Sequence, residues 1–530
     1  MTQARRLGAL RCAVALLVLA TPTSTVAQAS PAPATDQAVD DAAGWGAPER
    51  SADPDDAAGW PSDGQSGDSE APEDDAAGWG EAPPEGATAE PPADEARPYA
   101  LVGFARWDGA LAIERLRQDP FAKARFALDV DFRWSRGPVR VVAGIHGEVD
   151  LVHVGPWSTS DAATRSRYGY WVRPRELYAS VHHGAVEAVL GWQVLALGVA
   201  DMLSVLDVAA PLDQREPGLA DVEDLRVSTL GSRLGVYHGA LRVEVLLTHE
   251  AGFGRRAPPL GRLSPLRAFV YDHPSVSGTS LEALVDRADV RYRNQPDRFG
   301  PAQQVYARAL YQGSRAEVGA YFFSLLDPIG FVRTPSPLGL LAPELVLDLE
   351  HRRFHAVGAS LLVPAGDFVL FAETRADIAR PVTLADTAAI LPRTELDRRD
   401  VVSATLGGRF HGLPGVVLAA EFSMGSDGQR RAPEGQAPLL FPVNPPTVAL
   451  RYEHLFLRER LRWATLFVAS GPRLGSGFLV RSEVSYDLRH GLRGTLAYVH
   501  YHPGNEPGPI YGFRRNDRIW LALRWDFSVW

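Results

Sequence analysis

Cysteine is almost missing: Cys12 is the only one in 530 residues. It falls within a segment expected to be cleaved on export, so the mature chain is expected to carry no thiol. That excludes a disulfide scaffold, a cysteine-ligated zinc or iron–sulfur centre, and a cysteine nucleophile. Methionine occurs three times and lysine once, at Lys123, among 54 basic residues. The bias towards arginine is taken as a compositional habit without functional weight. No phosphate-binding loop, dinucleotide glycine fingerprint, EF-hand loop or Gly-x-Ser-x-Gly elbow is present. The chain is therefore not expected to be an enzyme, and no cofactor or metal is expected.

Long apolar runs are scarce too. Arg5, Arg6 and Arg11 precede the apolar run Ala13 to Ala20, and Ala27-Gln28-Ala29 supplies the small residues of a cleavage site. Residues 1–29 thus read as a secretory signal peptide, with a mature start at Ser30. Cys12 precedes the apolar core, which argues against lipoprotein processing. No later stretch reaches the roughly 18 uninterrupted apolar residues of a transmembrane helix. An exported chain of this kind is periplasmic, secreted or an outer-membrane barrel.

Charge divides the rest in two. Residues 30–97 hold 18 acidic residues against 2 arginines, with much Pro, Ala and Gly and few aliphatics. Such a segment buries too little apolar surface to offset its ordering entropy, so it is expected to be a disordered acidic tail. Residues 98–530 hold 49 basic and 46 acidic residues, so the whole-chain charge of −10 belongs to the tail. It implies no nucleic-acid partner. Within the tail the word Asp-Asp-Ala-Ala-Gly-Trp occurs three times, ending at Trp45, Trp60 and Trp79. One reading is a multivalent ligand whose tryptophans bind a periplasmic partner. The other is repeat expansion in a segment free to drift.

From residue 98 on, the chain reads with period two. Phe126, Leu128, Val130, Phe132 and Trp134 share one parity, and Asp129, Asp131 and Arg133 the other. The next segment sets Val139, Val141, Ala143, Ile145, Val149 and Leu151 against Arg140, His146, Glu148 and Asp150. Strands of about ten residues with one greasy and one charged face suit a wall between lipid and water.

About eighteen such segments follow one another, with sixteen as the alternative count. Short turns centre on Arg136-Gly137, His183-Gly184, His238-Gly239, Gln312-Gly313, Pro364-Ala365-Gly366, His411 to Gly415, Arg458-Glu459 and His490-Gly491. Longer connections are expected at 153–174, 198–227, 251–302, 326–343, 378–399, 427–445 and 503–515. Short turns on one rim and long loops on the other predict an all-β, antiparallel, up-and-down transmembrane barrel over residues 98–530. No blade or coil repeat supports a propeller or solenoid. The length is too small for 22 strands and a plug, which sets aside a TonB-dependent transporter.

The last segment alternates Ile519, Leu521, Leu523, Trp525, Phe527 and Val529 with Trp520, Ala522, Arg524, Asp526 and Ser528. It resembles Gram-negative outer-membrane β-barrels, whose final strand commonly ends in an aromatic residue read by the assembly machinery. Here Trp530 has the parity of Ser528, one residue off that pattern. A narrower resemblance runs through Gly191-Trp192-Gln193, Asp207, Pro211, Leu212, Asp213 and Asp224-Leu225-Arg226. It continues in Phe354-His355-Ala356-Val357-Gly358-Ala359-Ser360, Phe371-Ala372-Glu373 and Asn516-Asp517-Arg518. These are similar to a functionally uncharacterised family of proteobacterial porin-like barrels. The resemblance implies outer-membrane lipid and the assembly machinery as partners, and gives no substrate.

Inward charges are the candidate site. Asp129, Asp131, Arg133, Arg140, Glu148 and Asp150 are expected to line the lumen, either making the transverse field of a constriction or forming cross-strand salt bridges. His183, His238, His411 and His490 read as turn residues. His500 and His502 share a strand face without a third metal ligand nearby in sequence. The 251–302 connection contains the capping box Thr279-Ser280-Leu281-Glu282, followed by Leu284, Val285 and Ala288 at helical spacing. A short amphipathic helix is expected there, lying on the rim or folded into the lumen, with the inward fold preferred because eighteen strands enclose space that must be filled or conductive. The functional expectation is a porin-like channel for passive or gated passage of small solutes, with the tail periplasmic. Its rival is a membrane-anchored binding protein whose acidic tail recruits a partner.

Overall fold

Alternation at period two gives each strand two unlike faces, and adjacent residues of one strand show it: Leu128 is 50 % exposed while Asp129 is 2 % exposed. In the computed structural model the described residues are 98–529, except 118–119, 157, 159, 217, 219–224, 260, 262, 265–288, 296–302, 329, 334–343, 387–393, 428–435, 439–444, 472–474, 505–509, 511–512 and 514–515. The signal segment 1–29, the acidic tail with Trp45, Trp60 and Trp79, the capping box at 279–282 and Trp530 lie outside the described residues.

The wall strands are β1 (Tyr99–Ala112), β2 (Phe121–Arg136), β3 (Val139–Asp150), β4 (Tyr170–His183), β5 (Val186–Gln193), β6 (Thr229–His238), β7 (Leu241–Thr248), β8 (Gln304–Gln312) and β9 (Glu317–Leu326). They continue with β10 (Arg353–Ala365), β11 (Phe368–Asp386), β12 (Thr394–Leu413), β13 (Val416–Ser426), β14 (Thr447–Phe456), β15 (Leu461–Ser470), β16 (Phe478–Arg489), β17 (Leu492–His502) and β18 (Arg518–Val529). Each pairs antiparallel with its sequence neighbour, and β1 closes the wall on β18 from Leu101↔Val529 to Ala112↔Arg518. Among the described residues nineteen strands share the sheet: eighteen in the closed wall, and Gln436–Pro438 added to the edge of β11. The higher of the two expected strand counts is therefore the observed one.

All eight short turns stand where the sequence places them. His490 and Gly491 both have positive φ, 52° and 76°, the twist that a two-residue hairpin requires. The opposite rim departs from expectation in places. The expected connection at 378–399 is largely strand, because β11 runs to Asp386 and β12 starts at Thr394, past a bulge at Ala379. The 326–343 connection extends to Arg352, because Glu344–Glu350 pairs with Asp289–Gln295 and Phe331–Arg333 in a separate small sheet. Two further connections, 113–120 and 471–477, join the longer ones on this rim.

The outward face carries Phe126, Ile145, Leu190, Leu234, Leu406, Leu496 and Trp525, all exposed. A water-soluble protein does not leave an apolar belt of this extent uncovered, whereas lipid covers it. Among the described residues no helix is long and apolar enough to cross a membrane. The barrel crosses it with strands.

Candidate constriction site in the lumen

Two inner surfaces face the lumen, one charged and one built from a loop. The charged surface lies on β1 to β4. Alternation turns Lys123, Arg125 and Asp129 of β2 inward together with His146, Glu148 and Asp150 of β3, and register places them side by side: Asp129 opposite His146, and Arg125 opposite Asp150. Asp129 accepts from His146 Nδ1 at 2.9 Å and lies 3.5 Å from Arg175. Asp131 lies 4.0 Å from Arg175 as well. Glu148 is the hub, 2.7 Å from Arg215, 3.2 Å from Arg255, 3.5 Å from Arg125 and 3.6 Å from His146.

Loop residues complete this surface. Arg215 pairs with Asp213 at 2.6 Å and donates to the Arg167 carbonyl at 2.6 Å. Glu216 lies 3.1 Å from Lys123, 3.0 Å from Arg125 and 3.7 Å from Arg518. The Trp171 ring has Arg173 at 4.4 Å and Arg255 at 3.6 Å from its centroid, a cation–π arrangement. Burial works against the Glu216 charge, but Arg125, Lys123 and Arg518 outweigh it and hold the carboxyl well below the usual range. Burial likewise opposes the Arg215 charge, yet Asp213 and Glu148 raise its pKa above the ordinary arginine value. Arg255 goes the other way: burial, with the like charge of Arg215 behind it, lowers its pKa to about 10.

Of the six residues singled out by sequence, Asp129, Asp131, Glu148 and Asp150 come together in or beside this network. Asp150 is fully buried; its carboxylate accepts from the amides of Val152 and Ala124, each at 3.1 Å, and caps the short helix Leu151–Val154. Arg133 and Arg140 stand nearer the short-turn rim, opposite Val142 and Ser135. Lys123 and Arg125 share the parity of Asp129, so the same alternation contained them. Arg215, Glu216 and Arg255 come from connections and had no such signal. His500 meets Asp517 at 2.7 Å. Among the described residues no group of three or more His, Cys, Asp or Glu is placed to hold a metal ion.

The second surface is the connection after β5. Residues 195–206 are mostly aliphatic, yet they cross to the wall of β11 to β15, on the other side of the barrel. Met202 and Leu203 pack there on Ala419, Ala449, Leu466 and Val468. Glu373 of β11 accepts from the amides of Val199 (2.5 Å), Ala200 (2.8 Å), Val205 (2.9 Å) and Leu206 (3.3 Å) and from the Ser204 hydroxyl (2.7 Å). Glu421 of β13 accepts from the amides of Asp201 (2.8 Å), Met202 (3.0 Å) and Leu203 (2.6 Å). The wall also serves the loop carbonyls: Arg409 donates to Val199, Thr405 to Leu203 and Arg375 to Val205. Gly198 has φ +89°, and a Cβ there would meet Glu373 Oε1 at 2.3 Å, so the approach requires glycine.

The inward fold expected of the 251–302 connection is thus seen in 194–216. The described start of 251–302 also reaches the interior, through Arg255 on Glu148 and through Leu263 in a cluster with Leu479, Val499, Tyr501, Ile510 and Phe513.

No protein-family model and no curated protein matches the sequence. Among solved structures the chain is similar to the outer membrane protein OpdK of Pseudomonas aeruginosa, at 13% identity over 81% of this chain and 99% of that one, TM-score 0.43. It is also similar to OccAB1 of Acinetobacter baumannii (11% identity, 81% and 96% covered, TM-score 0.45). A third is a BenF-like porin of Pseudomonas fluorescens Pf-5 (10% identity, 81% and 98% covered, TM-score 0.44).

Proposed function

We propose that residues 98–530 form an outer-membrane channel for small solutes, with the long-loop rim facing outward and the short-turn rim facing the periplasm. The observation that carries this reading is the lumen itself. A wall with an apolar outside and interlocked charges inside encloses a segment that spans from β5 to β13 and narrows the interior without replacing its charged lining. An anchor has no use for such an interior. A channel uses it to slow and sort what passes.

In this reading Asp129, Asp131, Arg133, Arg140 and Glu148 are lumen groups that bias passage by charge, and Asp150 supports them from the rim. Residues 30–97 then form a periplasmic extension, dispensable for conduction. The test is single-channel recording in planar bilayers with full-length protein and with protein lacking residues 30–97. Both are expected to give unit conductance steps and a measurable ion selectivity. Folded, inserted barrels that give no steps in either form would end the proposal.

A further inference from the structure

We propose that Glu373 and Glu421 are positioning residues that latch residues 199–206 against the far wall and thereby set the width of the passage, an inference that rests on the channel reading above. The observation behind it is that eight consecutive residues, Val199 to Leu206, each donate a hydrogen bond to one of these two carboxylates. Seven donors are backbone amides and the eighth is the Ser204 hydroxyl. Both carboxylates are 2 % exposed.

The chemistry explains why two glutamates are needed. Residues 195–206 are mostly aliphatic, so they bring few side-chain hydrogen-bonding groups into the lumen. A connection at this depth still carries an amide at every residue, and each must find a partner or pay for dehydration. Two carboxylates offer four oxygens, each with room for more than one donor, and charge-assisted bonds are the stronger kind. Curling successive amides around an anion makes a concave nest, and here two nests stand in series, one on β11 and one on β13.

The wall is shaped for the loop. At Gly358 a Cβ would meet Leu206 Cδ2 at 2.4 Å, so the wall is flat where the loop must lie close. Thr405 and Arg375 hold the carbonyls of Leu203 and Val205 at 2.6 and 2.5 Å. Asp207 accepts from the Leu197 amide at 3.2 Å and from Arg226 at 3.0 Å, which closes the base of the loop.

Glutamine is the discriminating substitution. In Glu373 one oxygen takes Val199 and Ala200 and the other takes Ser204, Val205 and Leu206. Either flip of a glutamine amide therefore points an NH2 group at two or three donors. E373Q/E421Q is expected to raise unit conductance in planar bilayers to near that of protein in which residues 199–206 are replaced by two glycines. Thr374→Val, which removes a hydroxyl bonded to the Ser403 carbonyl of the wall itself, is expected to leave it unchanged. If the double variant does not show the heat-modifiable migration of a folded barrel, E373Q alone is read in the same way.

A second measurement does not depend on conduction. The chain has no cysteine beyond Cys12, so Met202→Cys places a single thiol in the mature protein at a site 1 % exposed. Labelling by a membrane-impermeant maleimide is expected to be slow in that protein and fast when E421Q is added. The latch is overturned if the loop-replaced protein conducts more while the glutamine variants do not. It is equally overturned if loop replacement leaves conductance unchanged, or if the thiol stays protected with E421Q. Folded protein that never conducts, loop-replaced or not, defeats the channel reading instead, and labelling alone then decides the latch.

Discussion

Glu148 is a single negative charge shared by Arg125, Arg215 and Arg255, so neutralising it uncovers positive charge on the lumen wall. Removing one partner of a buried ionic group costs roughly 3–5 kcal/mol because the remaining charges stay desolvated. Glu148→Gln is therefore expected to lower the thermal midpoint of heat-modifiable migration and to shift the reversal potential in a salt gradient towards that of the anion. An unchanged reversal potential in folded Glu148→Gln protein would remove this network from the conduction path. A second residue-scale case sits between two long connections. His351 stacks on Phe253 with ring centroids 3.4 Å apart, and its Nδ1 donates to the Asp327 carbonyl at 2.7 Å. Burial lowers its pKa to about 4, against the opposing pull of the Asp327 carbonyl. A histidine whose folded value lies below its unfolded value of about 6.5 leaves the contact intact above that value. The contact then weakens as pH falls from there towards 4. Hydrogen exchange of residues 349–353, corrected for intrinsic rates, is expected to accelerate between pH 7 and pH 4.5 in the native protein and not in His351→Phe. Equal protection at both pH values in the native protein would contradict the assignment.

At the scale of the strand, side-chain parity decides what lies in lipid. Leu521 of β18 faces outward between Gly109 of β1 and Leu496 of β17. Leu521→Arg is expected to destabilise the barrel by about 2–4 kcal/mol if it sits near the membrane midplane. Urea titration of protein folded into phospholipid vesicles measures this, with Leu521→Val as the size control, and a loss no greater than that control's would contradict the outward assignment. Parity was legible because every strand repeats it, and the eight short turns were legible because a tight reversal needs Gly, Pro or a residue tolerant of positive φ. The stretch 378–399 reads as a connection because Arg380, Asp397 and Arg399 look like the charges of a solvated loop. They are instead paired along a long hairpin, Arg380 with Asp377 at 3.1 Å and Arg399 with Asp397 at 3.0 Å. The path of 194–216 left no comparable trace, since its bonds run from backbone amides to glutamates some 170 to 220 residues away. Only the glutamates' inward parity is written locally, and parity does not say what a carboxylate holds.

At the scale of the whole molecule the barrel is nearly neutral, with 49 basic against 46 acidic residues in 98–530, and many of these are locked in ion pairs. Net charge therefore gives little selectivity, and the field inside must come from the arrangement of a few groups across a narrowed lumen. Such a field has a limited reach in salt water: about 10 Å at 0.1 M and about 3 Å at 1 M. At the lower salt the charged surface of β1 to β4 acts on an ion anywhere in a passage narrowed by residues 199–206. At the higher salt it acts only on an ion touching the wall. The reversal potential across a fixed tenfold gradient is therefore expected to grow as the absolute salt concentration falls. The loop-replaced protein is expected to show a weaker dependence at 0.1 M, because its wider lumen lets ions pass beyond that reach. A reversal potential independent of salt in the intact protein would mean that the lumen sorts by size alone. The charged surface would then hold the loops in place and have no part in selection.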